Sequence, residues 1–275
     1  MSKMFLKGKK VLITGVSSGF GKEFTKILTQ KYDCFCIGVA RNEEKIKDLI
    51  DELGDKKERF TYHIMDINNK EKWTELYDYI NDNFGYIDVM INNAGILPRF
   101  AKFERYSEED FFNIIKTNFC SQVYGIRKLL PLIKKSESPA IVNVASSAAL
   151  CTVVGTTSYS ASKAAFKAYT EVLQQDYNKE IYVALVCPGF TKTGIFINQK
   201  VQVEKSNIVY RISSSAQKSS LKIIKKINKK RKKIVVGWDA KLMEFGYKIM
   251  PVKIGLIINY FLKKSKLELF SDIYD

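Results

Sequence analysis

The chain has 275 residues, of which 46% are hydrophobic, 12% aromatic and 27% charged, and its formal net charge is +16. That length can bury a large core near the upper size of one compact domain, and that composition excludes a disordered chain. No internal repeat or low-complexity tract is evident, which excludes solenoids and propellers.

In chain order, the first apolar run is Val11-Leu12-Ile13, which stops at Thr14-Gly15. It is too short for a signal-peptide core, and no stretch of about 18 apolar residues predicts a spanning helix. A cytoplasmic location is therefore expected. Apolar, β-branched runs at residues 11–14, 34–39, 60–64, 87–91, 140–144 and 183–186 predict buried strands. Between them, residues 21–31, 43–53, 70–84, 108–134 and 158–177 carry apolar residues at helical spacing. Such alternation builds right-handed β-α-β units, so the expected fold is α/β, a doubly wound, mostly parallel sheet of about seven strands of Rossmann type. Residues 190–217, rich in Ser, Thr, Asn and Gln, predict a mobile segment over the crevice. A basic helix over 218–230, a last strand over 234–236 and a helix pair over 240–262 around Pro251 complete the reading. Together they make one domain, 1–275, with a C-terminal elaboration from 218 onward. Five scattered cysteines without a C-x-x-C pair, and a single histidine, argue against any metal site and for reduced, largely buried thiols.

The first strand runs into Thr14-Gly15-Val16-Ser17-Ser18-Gly19-Phe20-Gly21 and then a helix. Glycines let the backbone approach a pyrophosphate, and the helix N-terminus supplies free N–H groups and a positive dipole end. The second strand ends Ala40-Arg41-Asn42, without the carboxylate that holds ribose hydroxyls in NAD-specific folds. Arg41 offers a planar fork to a 2′-phosphate, which favours NADP(H) over NAD(H). Asp66 and Ile67 follow the third strand near the adenine, and Asn92-Asn93-Ala94-Gly95 follows the fourth. There, small residues let backbone run under the adenosine, and the amides can tie strand ends together.

Tyr159 and Lys163 stand four apart on a predicted helix and share one face. A phenol with a pKa near 10 exchanges protons poorly at neutral pH, and a neighbouring ammonium would bring it down. Ser146 ends the fifth strand, and Asn118 sits mid-helix, where asparagine is a mediocre former.

With these residues in place, the chain resembles the short-chain dehydrogenase/reductase family over about residues 8 to 195. The resemblance rests on T-G-x-x-x-G-x-G at Thr14 to Gly21, N-N-A-G at Asn92 to Gly95, Asn118, Ser146, Tyr159 with Lys163, and Pro188-Gly189 with Thr193. It implies that Tyr159 donates a proton to a carbonyl oxygen and that Ser146 orients that carbonyl. Lys163 would hold the nicotinamide ribose and lower the tyrosine pKa, with Asn118 supporting a proton relay behind it. Gly15, Ser17, Ser18, Gly19, Phe20 and Gly21 would line the phosphate turn, and Asn92, Ala94 and Gly95 the adenosine. Pro188 and Gly189 would lie by the nicotinamide, with Thr191 and Thr193 beside its carboxamide or the pyrophosphate. A homodimer or homotetramer is implied, built through the helices carrying Asn118 and Tyr159. The substrate would be a small ketone or aldehyde and its alcohol, shaped by residues 97–105 and 190–217.

After Lys200 the chain holds seventeen Lys/Arg against six Asp/Glu. Lys222 to Lys233 is the most charged stretch, followed by a largely apolar run with lysines at its flanks. Three readings stay open: a solvated face packed on the core or a partner subunit, peripheral docking on an anionic membrane suited to a lipid-like substrate, and nucleic-acid binding. The last is weakest, because the basic run lacks interleaved aromatics. Two functions likewise remain: a working reductase, or a catalytically silent protein of the same fold that senses NADP(H) or docks on a membrane.

Overall fold

The computed structural model describes residues 4–192, 214–265 and 270–274. Lys10–Thr14 forms β1, whose apolar side chains are buried, so it reads as a continuous hydrophobic run rather than an alternating one. Around it run β2 (Phe35–Ala40), β3 (Phe60–Ile64), β4 (Val89–Asn92), β5 (Ala140–Val144), β6 (Tyr182–Pro188) and β9 (Lys233–Val236). These seven strands are all parallel in the order β3-β2-β1-β4-β5-β6-β9, a Rossmann-type sheet. Val11 pairs with Cys36 on one side and Val89 on the other, so β1 sits at the point where the winding reverses.

Both faces are covered. On one, α1 (Gly19–Tyr32) and α2 (Glu43–Leu53) join α7 (Ala216–Asn228), whose Ile223, Ile224 and Ile227 are fully buried with Phe24 and Leu28. On the other, α3 (Lys70–Phe84), α5 (Ser121–Lys134) and α6 (Thr157–Asp176) bury Trp73, Leu76, Leu129 and Phe166. Each such side chain contributes about 1.5–3 kcal/mol of burial. Beyond β9 come α8 (Trp238–Ile249), α9 (Lys253–Ser265) and α10 (Ser271–Tyr274).

Two expectations need correction. The helix expected over 108–134 is α4 (Glu108–Ile115) and α5 joined by a π turn, Lys116–Cys120, whose wider hydrogen bonding absorbs one extra residue. Residues 190–217 are not wholly irregular. Thr191–Lys192 (β7) pairs in parallel with Ser214–Ser215 (β8), and α7 already begins at Ala216, capped by the Ser215 side chain. Residues 193–213 lie outside the described part. The expectation of largely buried thiols holds: four of the five cysteines are buried, and Cys120, on the π turn, is exposed.

Candidate active site

At the carboxyl ends of the strands lies a cleft of about 510 Å³. Its phosphate end is built on the β1–α1 turn, where Gly15 and Gly19 take φ of +76° and +55°. Gly21 backs the turn rather than lining the cleft: a methyl there would overlap the Gly15 carbonyl oxygen. Ser18, the residue before α1, is extended and makes no side-chain bond to the helix. First-turn N–H groups therefore stay available to an anion beside Ser17, Ser18, Gly19 and Phe20. Thr14 and Asn93 hold the two central strand ends together. The Thr14 hydroxyl accepts from the N–H of Asn93 and of Ala94, both at 3.0 Å, and the Asn93 amide donates to the Thr14 carbonyl at 2.9 Å.

Arg41 follows β2 and lines the rim with Lys45, whose N–H donates to the capping side chain of Asn42. Neither cation has an ion-pair partner among the described residues. Asp66 accepts from the Asn68 N–H, and the buried Trp73 indole donates to the Ile67 carbonyl at 2.8 Å, which fixes the loop after β3. Asn92 departs from its expected place beside the adenosine. It is buried in the sheet, where its amide donates to Asn143 at 2.9 Å, and it is not among the cleft-lining residues. Ala94, Gly95, Pro188, Gly189 and Thr191 do line the cleft, and Thr193 lies outside the described residues.

At the chemical end, α6 sets Tyr159 in its first turn and Lys163 one turn later. Ser146 follows β5, accepts from the Ala148 N–H at 3.1 Å, and hydrogen-bonds Tyr159. Burial pushes the Tyr159 phenol up, and the bond with Ser146 opposes that rise. Burial also pulls Lys163 down to about 8, although its Nζ donates to the Val144 carbonyl at 3.1 Å and lies 5.9 Å from the Tyr159 ring centre. The expected lowering of the tyrosine by the lysine does not carry the site: burial raises the phenol, Ser146 alone opposes it, and at neutral pH the phenol keeps its proton.

Asn118 is fully buried, behind the cleft wall. Its side chain accepts from the Ile96 N–H at 2.8 Å and donates to the Ile96 carbonyl at 2.9 Å and to Ser162 at 3.2 Å. A side chain added at Gly95 would meet Asn118 at 3.0 Å and the Lys163 ammonium at 3.4 Å, so these three converge.

The cleft's far end is apolar, walled by Ile96, Leu97, Phe100, Ala148, Val153 and Phe190. Two distant carboxylates hold this wall, and sequence reasoning missed both. Asp239 accepts from the Phe190 N–H at 2.6 Å, in space that a side chain at Gly189 would fill. Asp272 on α10 bridges to Arg99 at 3.3 Å and Arg105 at 3.9 Å. Lys45 was missed as well, although its place four residues after Arg41 was a usable signal.

Fold and cleft define a Rossmann-type oxidoreductase. Residues 9–204 match the short chain dehydrogenase family, and the chain belongs to it, so it acts on CH–OH or C=O groups. The 3-oxoacyl-(acyl-carrier-protein) reductase of Haemophilus influenzae is 31% identical over 189 residues, which is 68% of this chain and 76% of that protein. A short chain dehydrogenase from Burkholderia cenocepacia, solved with NADP, superposes with a TM-score of 0.76 at 20% identity, covering 92% of this chain and 98% of that one. One from Burkholderia phymatum, solved with NAD, gives 0.75 at 24% identity, covering 84% and 89%.

Proposed function

We propose that the protein interconverts an apolar ketone or aldehyde and its alcohol, using NADP(H), with Tyr159 as the acid–base group. The observation that carries this is the convergence of Ser146, Tyr159 and Lys163 between the glycine turn and an apolar recess in one cleft. A dinucleotide fits the rest of that cleft: an uncapped helix N-terminus for the pyrophosphate, small residues Ala94 and Gly95 along the floor, and Arg41 with Lys45 at the rim. When bound, the nicotinamide supplies or accepts the hydride. Ser146 orients the substrate oxygen, and Tyr159 gives it the proton that its raised pKa keeps in place. Lys163 holds the ribose hydroxyls and steadies the phenolate left behind, and Asn118 positions the segment at Ile96 that faces both.

Arg41 and Lys45 support NADP(H), since two cations just after β2, without an ion-pair partner among the described residues, favour a 2′-phosphate over a hydroxyl. The apolar wall and the acyl substrate named for the Haemophilus relative support a lipid-like carbonyl. A homo-oligomer built through the helices flanking Asn118 and Tyr159 is the assembly we infer, and light scattering of the purified chain tests it.

The central test is NADPH oxidation with a panel of ketones. Tyr159→Phe lowers kcat by about 10²–10⁴-fold, the usual worth of a positioned acid. Unchanged turnover in that variant sinks the assignment. Arg41→Ala raises KM for NADPH by about 10–100-fold, the equivalent of one charge-assisted contact, and leaves NADH little affected. Equal effects on both dinucleotides remove Arg41 from the 2′-phosphate.

A further inference from the structure

We propose that the outer face of the α8–α9 pair docks on the surface of an anionic lipid bilayer. The pair has two unlike sides. Inward, Met243, Ile254 and Ile258 pack with Phe100 and Val153, residues that also wall the cleft. Outward, Leu242, Phe245 and Ile249 recur at helical spacing on α8, and Leu256, Tyr260 and Phe261 do so on α9. All six are more than half exposed, as is Val252 in the turn between the helices. Large apolar side chains left in water over two adjacent helices mark a binding surface. No helix among the described residues is long and apolar enough to cross a membrane, so the contact lies in the interfacial plane.

Charge selects the occupant. Residues 214–265 hold fourteen Lys/Arg against two Asp/Glu. Of those two, Asp239 is buried on the Phe190 N–H, and Glu244 pairs with Lys233 at 2.6 Å and Lys248 at 3.6 Å. The basic end of α7 packs beside the strand that leads into α8, where Lys226 donates to the Val235 carbonyl at 3.1 Å. A second copy seated on this face by a two-fold axis would set this cationic surface against itself, which is repulsive. A nucleic acid would satisfy the cations and leave the apolar stripe in water. Anionic headgroups around an acyl layer satisfy both, with lysine stems lying along the boundary and their ammonium groups among the phosphates.

The chain carries its own probe. Of its two tryptophans, Trp73 is fully buried and Trp238, at the start of α8, is 58% exposed, so a change in emission reports Trp238. Full-length protein is mixed with phosphatidylcholine vesicles with and without phosphatidylserine, at low salt and at 1 M, where the screening length falls to about 3 Å. Docking predicts a blue shift and co-sedimentation with the anionic vesicles at low salt, both lost at high salt. It also predicts at least a tenfold loss of vesicle affinity in the Phe245→Ser/Phe261→Ser variant, whose circular dichroism and turnover of a soluble ketone stay unchanged. No binding at low salt, equal binding to pure phosphatidylcholine, or full binding by the double variant overturns it. So does a homodimer that the double variant dissolves without any vesicle binding, or an acidic protein captured in place of lipid. Binding is read without turnover, so the fate of the reductase assignment and that of the docking surface are separable.

Discussion

At the phosphate end of the cleft, the groups facing inward are main-chain N–H and short side chains, fixed by bonds between neighbouring strand ends such as Thr14 to Asn93. At the substrate end, the wall is made of large side chains from segments far apart in sequence, held by Asp239 and Asp272 from the last forty residues. The first end depends on backbone shape, so its tolerance for substitution is low wherever space is tight. The second depends on side-chain volume and on surface ion pairs, so it can be reshaped without dismantling the sheet. A dinucleotide site and a variable carbonyl pocket need that division.

The largest expected effect breaks the phosphate end. Gly21→Ala forces a methyl into the Gly15 carbonyl oxygen and costs about 3 kcal/mol or more, by overpacking against backbone that cannot move freely. Urea midpoints and dinucleotide affinity should fall together. A variant of wild-type stability would show that the turn yields to the added methyl.

Next comes Lys163, which stands between the two ends. Its buried ammonium has a pKa of about 8 in the fold against 10.5 as the ordinary value. Between those values the unfolded chain binds more protons, so folding stability rises with pH across that window and is penalised below it. Lys163→Met should therefore abolish turnover yet raise stability near neutral pH by about 1–3 kcal/mol, the advantage shrinking as pH climbs toward 10. Thermal melts of both proteins at several pH values read this, and a destabilised variant would mean that the bond to Val144 outweighs desolvation. For the wild type, kcat/KM for reduction should fall above about pH 8 as Lys163 loses its charge.

The smallest effect probes the substrate end. Asp272→Ala removes two partly exposed ion pairs, worth less than about 1 kcal/mol in melting experiments. Its signature should be a change in KM for the carbonyl with KM for the cofactor unmoved. A matched change in both would erase the distinction between the two ends.

The fold was largely legible because its signals are local. Buried parallel strands read as short apolar runs, so β1 to β6 and β9 fall within a residue or two of expectation, as do most helix ends. The glycine turn, Tyr159 with Lys163, and Ser146 were legible for the same reason: each lies at a strand end or on one helical turn. What stayed hidden depends on distance in the chain. Asp239 meets Phe190 across 49 residues, and Asp272 meets Arg99 across 173, with no periodicity to announce either. Asn92 misled because a polar residue at a strand end can point into the sheet as well as out of it. The direction of the Tyr159 pKa stayed hidden because the sequence displays the nearby Lys163 charge and not the burial of the phenol.

The π turn at Lys116–Cys120 has a consequence for how this segment tolerates change in length. Each residue of a helix turns the chain by about 100°. Because the π turn already absorbs one extra residue, removing one there would relax it into ordinary helix with both flanks close to their present orientation. A deletion elsewhere in α4 or α5 would swing one flank by that angle. A swing of that kind would cost either the Asn118 bonds to the Ile96 backbone or the place of Leu129 in the core. The π turn is therefore the one place along residues 108–134 where a change of one residue in length leaves both flanks facing as they do. On either side of that turn, spacing is what the stretch has to keep.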